Sequence, residues 1–111
     1  MKVLNSFTLN AVPAASQGES PIRVDFTPMT AAEAGRLLAE KGVESFVGHA
    51  DTARLFSAQT GVEVPFNRAF SQLAAGEEFV LGQYLGPRLP EGSTQLPEGA
   101  RIQWYLVNIQ Y

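Results

Sequence analysis

The chain contains no cysteine, which removes disulfides, thiolate zinc sites, iron–sulfur clusters and cysteine nucleophiles together. Its single histidine removes any multi-histidine metal site and any conventional pair of histidines acting as acid and base. No apolar run approaches the roughly 18 residues of a membrane span, so no membrane partner is expected. A basic excess is missing too: 8 Lys+Arg stand against 11 Asp+Glu, a formal net charge of −3. That balance argues against a general binder of long nucleic acid. A small anionic ligand held by a few local arginines stays open. There is no glycine-rich phosphate loop of the Walker or dinucleotide type and no carboxylate cluster at metal-ligand spacing. Neither a metal nor a cofactor is expected.

What is there is ordinary for a folded protein. The 111 residues are 45% hydrophobic and 17% charged, too apolar for disorder and enough for one domain spanning 1–111. Met1-Lys2-Val3-Leu4-Asn5-Ser6 meets polar residues too soon for a signal peptide, so a cytoplasmic location is expected (the host cytoplasm if the gene is viral).

The pattern of apolar residues predicts an α+β fold: a single mixed sheet of five or six strands flanked by two helices. Residues 2–9 read as an extended run with Ser6, Thr8 and Asn10 sharing a face opposite Phe7 and Leu9. Residues 11–20 read as a loop. Ile22, Val24 and Phe26 alternate with Arg23, Asp25 and Thr27, a period-two strand. Thr30-Ala31-Ala32-Glu33 has capping-box spacing, and with Gly42 as its stop it predicts a helix over 30–41. Residues 43–47 form a third short strand, and a second helix runs from about Asp51 to Thr60 before Gly61. Runs 68–73 and 78–85 flank Ala74-Ala75-Gly76-Glu77 and predict a hairpin. Residues 86–99 read as an ordered, irregular loop. Residues 102–109 are apolar on both faces, as a strand is when it is central or covered by a partner.

Candidate chemistry starts at Phe46-Val47-Gly48-His49-Ala50-Asp51-Thr52, a strand, tight turn and helix start. Such a turn aims unpaired backbone N–H groups at one spot, which suits a phosphate. The plain alternative is that Asp51 or Thr52 caps the helix and His49 is a surface residue beside it. Arg88 lies in Gly86-Pro87-Arg88-Leu89-Pro90-Glu91-Gly92, where proline lowers the entropy lost on ordering. That loop either holds Arg88 and Glu91 in fixed places or carries a solvated pair. Arg68 opens a strand; Arg23, Arg36 and Arg54 fall on polar faces and read as solvated. Ser6, Thr8 and Asn10 read equally as a polar site or an edge strand facing water, and Trp104 and Tyr105 as core or interface.

Taken in order, Leu4-Asn5-Ser6-Phe7-Thr8-Leu9-Asn10, Gly48-His49-Ala50-Asp51-Thr52, Asn67-Arg68, Gln83 and Arg88-Leu89-Pro90-Glu91-Gly92 resemble the viral ring nuclease family. Its members act as type III anti-CRISPR proteins or as stand-alone bacterial ring nucleases. The resemblance covers roughly residues 2–110. It implies a homodimer and a metal-independent phosphodiesterase that cleaves cyclic tetra-adenylate to linear di-adenylates with 2′,3′-cyclic phosphate ends. It also implies that His49 is the catalytic histidine, Arg88 the transition-state arginine and Glu91 its acidic partner. Asn5, Thr8, Asn10, Thr52, Arg68 and Gln83 match ligand-contacting positions. Some archaeal viral members carry aspartate and serine after the histidine, where this chain has Ala50 and Asp51. The extra anion at 51 leaves two readings, a ligand contact or a helix cap. A dimeric module that binds a cyclic oligonucleotide or DNA without cutting is the rival function.

Overall fold

The computed structural model describes residues 1–12 and 21–110. They form one mixed five-stranded sheet with two helices, the α+β architecture expected. The strands are β1 (Lys2–Leu4), β2 (Arg23–Met29), β3 (Glu44–Phe46), β4 (Glu78–Leu85) and β5 (Arg101–Gln110), ordered β2-β5-β4-β1-β3. β1 runs parallel to both β3 and β4, so the carboxyl ends of these three strands open along one edge of the sheet. β5 pairs antiparallel with β2 on one side and β4 on the other. That interior position explains why residues 102–109 are apolar on both faces. Pro28 is tolerated in β2 because an edge strand has one side free of ladder bonds.

Helix α1 (Ala31–Lys41) starts as its sequence dictates. Thr30 Oγ1 accepts the Glu33 N–H at 3.1 Å, and Glu33 Oε1 accepts the Thr30 N–H at 3.1 Å. The Thr30 backbone N–H, with its hydroxyl in support, holds the Glu33 carboxyl below the usual carboxylate range. Gly42, at φ +83°, ends the helix. Helix α2 (Ala50–Thr60) ends at Gly61, whose left-handed conformation donates its N–H to Ser57.

Both helices pack on one face of the sheet, through Ala34, Leu38, Ala53 and Phe56 against Val3, Val80 and Trp104. Each such fully buried large side chain contributes about 1.5–3 kcal/mol relative to exposure. Phe56 sits 4.6 Å from Trp104 between ring centroids, directly over Gly82. A Cβ at residue 82 would stand 2.5 Å from Phe56 Cζ, so glycine lets α2 settle onto β4. Gly35 does the same between helices: its Cβ would meet the Thr60 carbonyl oxygen at 2.2 Å. The other face of the sheet buries Leu4, Phe79, Leu81, Val107 and Ile109 under Ala11, Val12 and Leu73.

Two expectations change. β1 stops at Leu4, and Leu9–Ala11 form a 3-10 turn instead of continuing a strand. The turn buries Ala11 and Val12, and Ala11 accepts a hydrogen bond from Leu73 N–H at 2.7 Å. Ser6, Thr8 and Asn10 therefore form no strand row. The hairpin is absent: residues 67–77 contain no strand, and Arg68 opens none. Both edges of β4 are already taken by β1 and β5, so 68–73 has no strand to pair with. The expected loop at 11–20 lies outside the described residues from 13 onward.

Candidate functional site

The short β3 delivers the chain to the carboxyl edge, where Gly48 and His49 lead into α2. His49 occupies the N-cap position with an extended backbone, yet its ring makes no capping hydrogen bond. The ring Nδ1 instead lies 3.4 Å from Thr52 Oγ1. Among the described residues the first amides of α2 thus have no side-chain acceptor, and they face the end where the helix dipole is positive. His49 is exposed to solvent.

Opposite that helix end lies the irregular segment between β4 and β5. An open cleft of about 970 Å³ runs between them, lined by His49, Ala50, Asp51 and Thr52 from the turn and by Tyr84, Gly86 and 88–92 from the other wall. His49, Arg88 and Glu91 therefore line one cavity, although they come from separate segments. Among the described residues neither Arg88 nor Glu91 enters an ion pair, so the Arg88–Glu91 surface pair is not formed. No group of three or more His, Asp or Glu side chains is placed to hold a metal ion among the described residues.

Of its two readings, Asp51 does not follow the helix cap. It is 7% exposed and does not cap α2: Asp51 Oδ2 accepts the Gly92 N–H at 3.0 Å, and Asp51 Oδ1 accepts Arg54 Nη1 at 3.2 Å. Arg54, expected to be merely solvated, also donates to the Ser93 carbonyl at 3.1 Å. Tyr84 is a further residue that the sequence did not single out. Its hydroxyl donates to the Pro87 carbonyl at 2.5 Å, fixing the loop where it leaves β4. The signals were present in outline, an Asp–Arg pair at i, i+3 and a tyrosine three residues before a proline. Both patterns are common on ordinary surfaces.

The expected ligand contacts are spread more widely. Thr52 is in the cleft. Arg68 lies over Gly48, where a Cβ would come within 3.6 Å of Arg68 Cγ, one residue from His49. Asn67 holds that segment down by donating from Nδ2 to the Ser45 carbonyl at 2.8 Å. Asn5 and Gln83 line a second pocket of about 330 Å³ at the same carboxyl edge, with Ser6, Phe7, Phe26 and Leu81. Thr8 lines a smaller recess with Phe70 and hydrogen-bonds Asn10 through its hydroxyl. Asn10 lines neither pocket. Trp104 is buried in the core and offers no stacking surface.

Residues 1–105 match the family model described as STIV B116-like. No curated protein matches the chain. Among solved structures it is similar to B116 of Sulfolobus turreted icosahedral virus, with 22% identity and a TM-score of 0.70 over 96% of each chain. At that identity the likeness speaks for the fold alone.

Proposed function

From the premise that this chain belongs to the STIV B116-like family, we propose that it is a metal-independent ring nuclease acting on cyclic tetra-adenylate, the messenger of type III CRISPR defence. One observation carries the reading: His49, Arg88 and Glu91 share a cleft at an uncapped helix N-terminus. The motif-by-motif resemblance to viral ring nucleases supports the same assignment.

An RNA phosphodiester carries its own nucleophile, the neighbouring 2′-hydroxyl. Its oxygen attacks phosphorus, the P–O5′ bond breaks, and the products end in a 2′,3′-cyclic phosphate and a 5′-hydroxyl. Alignment of the two oxygens supplies the largest share, up to ~7–11 kcal/mol in ideal intramolecular systems. Arg88 and the open amides of α2 stabilise charge developing on the phosphoryl oxygens. His49 protonates the leaving 5′-oxygen, a contribution of typically ~10²–10⁴-fold. Glu91, on the facing wall, takes up the proton that the 2′-hydroxyl loses.

A homodimer completes the proposal. Two copies related by a two-fold axis present identical clefts to opposite phosphates of a four-membered ring, and one cut per subunit yields linear di-adenylates. Leu9, Phe66 and Phe70 are 65%, 51% and 61% exposed, apolar area that a second copy would cover. Cleavage of this kind lowers the messenger level in the cytoplasm where the defence operates.

The test is incubation with cyclic tetra-adenylate in EDTA, followed by chromatography. Linear di-adenylates are expected. An intact ring overturns the enzyme assignment, and cleavage only after added metal overturns the mechanism. Binding without cutting by the wild-type protein establishes the rival, a messenger-holding module.

A further inference from the structure

A carboxylate in the first turn of a helix ordinarily serves the helix's own amides or faces solvent. Asp51 does neither. Its side chain is only 11% exposed, and neither oxygen serves the helix amides: one accepts the Gly92 N–H across the cleft, and the other accepts Arg54 one turn along α2, which itself reaches the loop. A buried carboxylate stripped of its partners is costly, so the arrangement is one that the fold maintains. Arg54 extends the connection to the next residue of the loop, through the Ser93 carbonyl. At the other end of the same segment the Tyr84 hydroxyl holds the Pro87 carbonyl. The four residues from Arg88 to Glu91 therefore hang between two fixed points, Pro87 and Gly92. One of those points is fastened to the helix turn that begins with His49.

We propose that Asp51 is the positioning residue of the cleft. It ties the wall bearing Arg88 and Glu91 to the turn bearing His49, with Arg54 as a second strut, and so sets the gap into which a phosphodiester must fit. The tie itself stands on geometry alone; its effect on catalysis rests on the ring-nuclease reading.

Two readouts separate these claims. Arg88 is the only trypsin-sensitive residue between 86 and 100, so the Arg88–Leu89 bond reports on the loop without any substrate. In Asp51→Ala, trypsin should cut that bond much faster than in wild type. Asp51→Asn should lie between the two, because it keeps an acceptor for Gly92 N–H and loses the charge that holds Arg54. Arg54→Ala, at a half-exposed side chain, is the second variant should Asp51→Ala fail to fold, and it too should speed the cut. Unchanged cleavage at Arg88–Leu89 in folded variants overturns the tie.

The second readout is turnover of cyclic tetra-adenylate. Loosening the wall by about an ångström should lower kcat on the order of 10²-fold with KM little changed, and Asp51→Asn should recover part of it. A raised KM with kcat intact would make Asp51 a ligand contact and overturn the positioning role. If the wild-type protein cuts no ring, the functional reading fails while the trypsin result still judges the tie.

Discussion

The two helices are both 11 residues long and begin in opposite ways. α1 is closed at its start by its own side chains, a reciprocal pair between Thr30 and Glu33. α2 begins at His49 with no side-chain cap, and its first-turn acid is diverted to the loop across the cleft. A closed helix end has one of its free amides and part of its positive field already taken by its own side chains; an open one has all its donors waiting for an anion. The closed end serves the scaffold, and the open one sits at the edge where three parallel strands finish, the side on which open sheets bind ligands.

The contrast can be broken most sharply at His49. His49→Ala should lower cleavage of cyclic tetra-adenylate by ~10²–10⁴-fold, with the ring still retained in a binding assay and thermal stability nearly unchanged. Cleavage at the wild-type rate would leave the open end without a chemical purpose. His49→Ser goes the other way and gives α2 the cap it lacks. It should stabilise the protein by about 1 kcal/mol in thermal or urea unfolding while weakening ring binding, because the serine oxygen occupies an amide that the phosphate needs. Stability gained with binding untouched would mean that those amides do not meet the ligand.

At the closed end, Thr30→Ala should cost about 1 kcal/mol in stability and leave cleavage alone, since α1 carries no part of the cleft. The smallest effect is in acid. Glu33 has a folded value lowered from the ordinary 4.5, so its contribution is complete above that ordinary value and is lost as pH falls through the folded one. The melting temperature of wild type should therefore fall more than that of Thr30→Ala as pH drops below 4.5.

Much of this was legible in the chain because it is local. The capping box, the glycine stops at 42 and 61 and the period-two rhythm of β2 need only neighbouring residues to be recognised. The buried β5 declared itself because apolar residues occupied both faces. Segment 68–73 misled for the same reason: its local pattern is compatible with a strand, but a strand needs a free neighbour, and β4 had none to give. The site divides along the same line. His49, Arg88 and Glu91 stand out as residue types in suggestive turns, and the fold brings them to one cleft. The ties of Asp51 to Gly92 and of Arg54 to Ser93 were missed because those partners are backbone atoms of a loop far along the chain, which no local spacing encodes; Tyr84 and Pro87 are three residues apart, a spacing too common to stand out.

The contact between Gly35 and Thr60 has a consequence at the opposite end of α2. An 11-residue helix is roughly 16 Å long, a lever whose far tip is the histidine turn. With no side chain between them, the two helices meet backbone against backbone, and that meeting point acts as the fulcrum. The aim of an imidazole at the sheet's edge is thereby set in part by a missing methyl group at the base of the molecule.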